Sequence, residues 1–293
     1  MSNERQVMTP LQNPVVGRKR LRIALRRARE ASGRTQEQVA DAMDWSLSKV
    51  IRIETGAVSV SVNDVRALLN LYSVMDKTRV AEIIELARVA RLRPWWYAYR
   101  DHYSQAFQSY LDLEAGAKLL KFWQPSIVPG LLQTEAYARA VISLGYDPSA
   151  TDEIDRRARL RMERKQLLLR PDAPKLWAVL DEAVLRRPIG GVDVLRGQIQ
   201  SLIELTDLPG VRLQVMPFAS GGHAASGGAF SLLRFPYQEL SDVVYIEHLT
   251  GGLYLDRREE VDRYAAAIGR LFIEAAPLTD TPAILRSVLK DLG

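Results

Sequence analysis

Between Thr35 and Gly56 the apolar positions Val39, Ala40 and Met43, then Val50 and Ile53, recur at helical spacing, and Asp44-Trp45-Ser46 interrupts them midway. The pattern predicts two short helices joined by a tight turn. Thr35 and Ser46 stand where each helix needs a side-chain acceptor for its first backbone N–H groups. The small Ala40 lets the two helices cross closely. The second helix then offers Leu47, Ser48, Lys49 and Arg52 outward, while Ile51 falls near the surface in the same phase and is read as partly packed against the core.

The same periodicity extends on both sides. Leu21, Leu25 and Ala28 form one face of a preceding helix, with Arg18, Arg22, Arg26 and Arg29 on another and Gly33 as its left-handed end. Downstream, Ser61 and Asp64 make an S-x-x-D capping box ahead of Val65, Leu68, Leu69 and Tyr72. Asp76 caps a fifth helix with Val80, Ile83, Ile84, Ala87 and Ala90 inward, and Pro94 stops it. Five helices over residues 17–93 therefore form an all-α unit. Residues 1–16, with Pro10 and Pro14, read as a flexible tail in which Arg5 alone could serve as a minor-groove arm.

Residues 94–110 crowd Trp95, Trp96, Tyr97, Tyr99, Tyr103, Phe107 and Tyr110 into an aromatic connector. With only Arg100 interleaved, a hinge or a dimer seam suits these rings better than a platform for single strands. From 111 to 293 the pattern turns to α+β. A strand at Leu119 to Gln124 and four more in KLWAVLDE, VRLQVMPF, AFSLLRF and DVVYIEHL predict a sheet of four or five strands. Helices follow Thr134, span Asp152 to Leu169, Gly191 to Thr206 and Arg257 to Ala275, and start again after Thr279. The mixed charges of the Asp152–Leu169 helix read as a solvated, salt-bridged face. The fold class is α+β overall.

Composition narrows the function. The chain has no cysteine, which removes disulfides and thiolate metal sites and fits a reducing cytoplasm. No apolar run approaches the roughly 20 residues of a membrane span, and MSNERQ is not a signal peptide, so a cytoplasmic protein with no membrane partner is expected. Charge is uneven. Up to Arg93 there are 17 Lys and Arg against 10 Asp and Glu, whereas the remainder holds 23 against 25. The surplus lies with the helix that offers Leu47, Ser48, Lys49 and Arg52 outward, a length and chemistry suited to a DNA major groove, where displacement of counterions from a phosphate backbone needs it.

The T-Q-E-x-V-A opening at Thr35 and the closing R-I-E-x-G at Arg52 resemble helix-turn-helix regulators of the xenobiotic-response-element type, related to phage repressors. The resemblance implies that Gln36 meets a phosphate, that Leu47, Ser48 and Arg52 face bases, and that Arg29 pairs with Glu54. The chain departs from that pattern at Asp44, where glycine is usual, and at Leu47, where Gln or Arg is commoner. Leucine can touch a thymine methyl but cannot hydrogen-bond a base, so readout leans on Arg52, Ser48 and Lys49. Candidate DNA-contacting residues are Arg22, Arg26, Arg29, Thr35, Gln36, Ser46, Leu47, Ser48, Lys49, Arg52, Ser59 and Ser61. The serines stand in for basic residues that relatives place after the reading helix.

VPGLLQTEAYARA, RMERKQ, LDEAVLRRPIGG, LQVMPFASGGH and VVYIEHLTGGLYLD resemble the C-terminal domain of WhiJ-like regulators of actinomycetes. That family looks antitoxin-like, which implies a small BldB-like partner protein or a small-molecule ligand. The expectation is a homodimeric repressor on a pseudo-palindromic double-stranded operator. The alternatives are an antitoxin-type protein that sequesters its partner and, further off, a hydrolase with a DNA-targeting module. No enzyme activity, cofactor or metal is expected. His102, His223 and His248 are scattered, and a His223–Glu247–His248 metal site is a weak reading. Ser220 to Gly228 lacks the Lys-Ser/Thr of a phosphate cradle and reads as a mobile loop, with a flap over a pocket as the alternative. Asp181-Glu182 reads as a helix start.

Overall fold

A computed structural model describes residues 13–293. The chain divides into two compact units, one comprising residues up to Gly116 together with Pro236–Leu240, the other Ala117–Phe235 and Ser241–Gly293.

The first unit is helical: α1 (Pro14–Ala31), α2 (Gln36–Met43), α3 (Leu47–Thr55), α4 (Val62–Leu71) and α5 (Lys77–Val89), then a 3-10 helix at Trp95–His102 and α6 (Gln105–Gly116). The first helix begins three residues ahead of Gly17. Asn13 Oδ1 accepts the N–H groups of Val15 and Val16 at 2.9 and 3.1 Å, and Pro14 occupies the first helical position, where its missing N–H costs nothing. Residues 13–16 thus belong to the folded unit, while the Arg5 arm lies outside the described residues. Leu25, Val39, Val50, Val65, Leu68, Leu69, Ile83 and Ala87 make the core.

The aromatic connector is built into this unit. Trp96 is buried and donates to Asp112 Oδ1 at 2.8 Å, and Asn13 Nδ2 donates to the Asp112 carbonyl at 3.0 Å. Tyr103, Phe107 and Tyr110 stack in series with ring centroids 4.9 and 6.1 Å apart. A Cβ on Gly116 would come within 2.2 Å of Val16, so α6 approaches α1 where only glycine fits. Arg20 of α1 donates to Glu239 at 2.8 Å and stacks on Tyr237, its guanidinium carbon 3.7 Å from the ring centre.

The second unit holds a six-stranded mixed sheet in the order β3-β2-β1-β4-β5-β6. Its elements in chain order are β1 (Leu119–Gln124), α7 (Glu135–Ser143), α8 (Thr151–Lys165), β2 (Lys175–Asp181), α9 (Glu182–Arg186), α10 (Val192–Thr206), β3 (Val211–Met216), β4 (Phe230–Arg234), β5 (Val243–His248), β6 (Gly251–Leu255), α11 (Arg258–Glu274) and α12 (Thr281–Asp291). β1, β2 and β3 run parallel through helical crossovers, and β4, β5 and β6 are antiparallel. α11 packs on the face carrying Trp123, Val179, Phe230, Leu232 and Val244, while Leu120, Phe122, Leu176 and Leu213 of the other face are buried as well.

Two local expectations change. β6 is a strand beyond those expected, because its sequence opens Gly251-Gly252, which carries little strand signal. Gly252 is needed there, since a Cβ would lie 2.3 Å from the Tyr245 ring on β5. The charged helix is also not wholly solvated. Arg157 and Glu153 pair on it at 2.6 Å, but Arg164 is buried against Gly130, and Arg161 and Lys165 donate to the side chain and carbonyl of buried Gln133 at 2.9 and 3.3 Å. An internal polar group needs such partners, so one side of the helix turned inward to supply them.

Candidate nucleic-acid interface

The local chemistry that fixes the α2–α3 pair is explicit. Thr35 Oγ1 accepts from the Gln38 N–H, and the Gln38 side chain accepts from the Thr35 N–H, a reciprocal capping box. Ser46 Oγ accepts from the Lys49 N–H at 3.2 Å and starts α3. Between them Asp44 takes a left-handed conformation, φ 53° and ψ 46°, and Trp45 N–H closes the turn onto the Ala40 carbonyl at 2.9 Å. A non-glycine residue adopts this geometry at some cost, and aspartate tolerates it better than most.

α3 buries Val50, Ile53 and Glu54 and leaves Leu47, Ser48, Ile51, Arg52 and Thr55 exposed on the opposite arc. Ile51 is therefore a surface residue, 38 % exposed, and not part of the core: one helical turn separates it from Leu47, at 37 %, on the outward stripe. Lys49 lies aside, its Nζ 3.5 Å from the centre of the Trp45 ring.

Beneath the arc, Arg29 Nε and NH2 donate to Glu54 Oε1 and Oε2 at 2.6 and 3.1 Å, and NH1 donates to the Arg34 carbonyl at 2.9 Å. The hydrogen bond to Glu54 holds the Arg29 guanidinium above its ordinary range. Gln36 Nε2 also donates to Glu54 Oε2, at 2.7 Å, so the residue assigned to a phosphate is engaged by a carboxylate in the free protein. Burial, with Glu54 nearby, pushes the Tyr72 hydroxyl up to about 12. Arg26, Arg29, Arg34, Thr35, Gln36, Glu54 and Thr55 line an open cleft of about 440 Å³ beside α2.

The other candidates fall around this network. Arg22 NH1 donates to the Thr55 carbonyl at 3.1 Å, and Arg26 pairs with Glu30 at 2.8 Å on the exposed side of α1. Ser59 is exposed, whereas Ser61 Oγ is used to cap α4, accepting from Asp64 N–H at 3.0 Å. Arg34 and Thr55 were not among the sequence candidates. Arg34 stands immediately before the capping Thr35, a position from which a cation reaches an anion at a helix start, and that spacing was the available signal.

In the second unit the histidines have local partners. His223 Nδ1 accepts from the Ala225 N–H at 3.2 Å, its ring meets Trp123 edge-on at 4.5 Å, and Trp123 Nε1 donates to the Ala225 carbonyl at 3.1 Å. The Ser220–Gly228 loop is thereby anchored, not left mobile throughout. His248 lies 3.2 Å from the Thr250 hydroxyl. Asp181 caps α9, and Glu182 in its first turn accepts from the Phe218 N–H at 3.1 Å. Among the described residues no cluster of acidic residues and histidines could hold a metal ion, and no helix is long and apolar enough to cross a membrane.

The N-terminal unit defines a helix-turn-helix protein, the class of DNA-binding regulators, and residues 20–83 match the family model of a helix-turn-helix domain. Residues 107–287 match the model described as a domain of unknown function (DUF5753), and the chain belongs to that family. No curated protein and no solved structure matches the chain.

Proposed function

We propose that the chain is a sequence-specific transcription repressor that binds a pseudo-palindromic operator as a homodimer and whose C-terminal domain responds to a small partner protein or ligand, in the manner of WhiJ-like regulators. It works in the cytoplasm by binding, without catalysis. The observation that carries this reading is the exposed arc of α3, with Arg52 at its centre making no ion pair with another described residue, held rigidly by the Arg29–Glu54–Gln36 network beneath it. A side chain meant only for solvation needs no such platform, whereas a reading helix must keep its register to within a fraction of a base step.

Dimerisation is supported by arithmetic. One nine-residue helix offers too few base contacts for operator-grade affinity, and two half-sites about one duplex turn apart supply enough. A link from the C-terminal part of the chain to the reading unit is supported by Pro236–Leu240, which lies in sequence between β4 and β5 yet belongs to the N-terminal unit, gripping Arg20 of α1. Footprinting of the chain's own upstream region, with and without co-purifying small proteins, tests the proposal. Paired protected half-sites altered by the partner are expected, and uniform, sequence-blind protection speaks against it.

A further inference from the structure

Leu47 and Ile51 sit one turn apart on the outward arc of α3, both branched, both exposed, and flanked there by Ser48, Arg52 and Thr55. The Thr55 hydroxyl donates back to the Ile51 and Arg52 carbonyls at 2.9 and 3.3 Å, which leaves its methyl as the group it can offer. The reading arc is thus a short aliphatic stripe with an arginine beside it. The stripe is small, and it lies on a helix beside the cations Arg22, Arg26 and Arg29 of α1, so a duplex that meets those cations with phosphates can meet the stripe with base edges.

We infer that Leu47 and Ile51 read the C5-methyl groups of pyrimidines on neighbouring base pairs, so that the half-site carries adjacent thymines and 5-methylcytosine can replace them. The inference rests on the DNA-binding proposal above and deepens it. In the major groove the thymine methyl is the sole apolar feature that the four bases present, and it is absent from the minor groove and the phosphate backbone. Neighbouring base steps rise about 3.4 Å, and side chains at i and i+4 lie about 6 Å apart, so the pair spans adjacent or next-adjacent steps. A protein-docking role for the stripe is disfavoured by its setting, since the cleft at its base is lined by Arg26, Arg29 and Arg34 with Glu54 as its sole acid.

The test begins with selection of preferred duplexes by the full-length protein from a random pool, followed by replacement of each thymine with uracil, which deletes only the methyl. Two positions per half-site, adjacent or next-adjacent, are expected to lose about fourfold in affinity each, the equivalent of ~0.8 kcal/mol per buried methyl. Cytosine at those positions should bind more weakly than 5-methylcytosine. The double variant Leu47→Ala, Ile51→Ala, which keeps good helix formers on an exposed face, should bind thymine and uracil duplexes equally with an unchanged salt slope. A selected site bound equally well with uracil throughout overturns the inference while leaving sequence-specific binding intact. A pool that yields no preferred duplex overturns the DNA-reading proposal and this inference with it.

Discussion

Arg29 and Glu54 face each other across the helix-turn-helix in a two-point ion pair, Nε to Oε1 at 2.6 Å and NH2 to Oε2 at 3.1 Å, with side chains 12 % and 6 % exposed. Glu54 also accepts from Gln36, so one carboxylate ties α1, α2 and α3 together. Removing the acid leaves a largely buried guanidinium and a side-chain amide without their acceptor. Glu54→Ala should therefore destabilise the N-terminal unit by about 2–4 kcal/mol in urea denaturation, and Arg29→Lys should recover less than half of what Arg29→Ala loses, because an ammonium cannot reproduce the planar two-point geometry.

Asp112 carries a pH prediction. Burial pushes its carboxyl up to about 7, against the hydrogen bond from Trp96, which acts in the opposite direction. The folded state thus holds a proton that the unfolded chain has lost above roughly pH 4. Stability from this group is fully present below that unfolded value and is lost as pH rises through about 7. Asp112→Asn keeps an acceptor for Trp96 and cannot ionise. Thermal melts should show the variant gaining on the parent between pH 5 and pH 8, and an unchanged difference across that range would contradict the assignment.

Asp44 supplies a stability test in the turn itself. Its left-handed backbone costs about 1–3 kcal/mol for a residue with a Cβ, and glycine returns part of that gain as unfolded-chain entropy. Asp44→Gly should raise stability by about 0.5–1 kcal/mol, and Asp44→Val should lower it by more than that. Chemical denaturation of the two variants side by side reads both signs.

Arg22 and Arg26 lie on α1, the first bonded to the Thr55 carbonyl and the second paired with Glu30 on an exposed surface, where such pairs are worth little. Both remain available to phosphates. Arg22→Ala with Arg26→Ala should weaken binding to all duplexes alike and reduce the slope of log affinity against log salt by about 1–2.

The sequence made the helix-turn-helix legible because its signals are local. Thr35, Ser46 and Asp76 cap the helices they precede, and Val39, Val50 and Ile53 are buried in the phase their spacing requires. What stayed hidden depends on distant partners. Gln36 finds Glu54 eighteen residues away, Arg164 turns inward to lie over Gly130, and the Gly251-Gly252 strand exists because Tyr245 occupies the space a side chain would need. Pro14 misled in another way, since a proline that breaks a helix interior is favoured at its first position. Ile51 lies at the surface, as its helix phase requires, and the partial packing against the core expected of an isoleucine is not found.

The measurement that bears most directly on the central claim is titration of the parent protein and Arg52→Ala against two duplexes at low ionic strength, one from the chain's own upstream region and one scrambled. If α3 reads bases, the parent should prefer the upstream duplex by about 10³ or more, and the variant should lose roughly 5- to 150-fold on that duplex with little change on the scrambled one. Equal losses on both duplexes, or no preference in the parent, would contradict it.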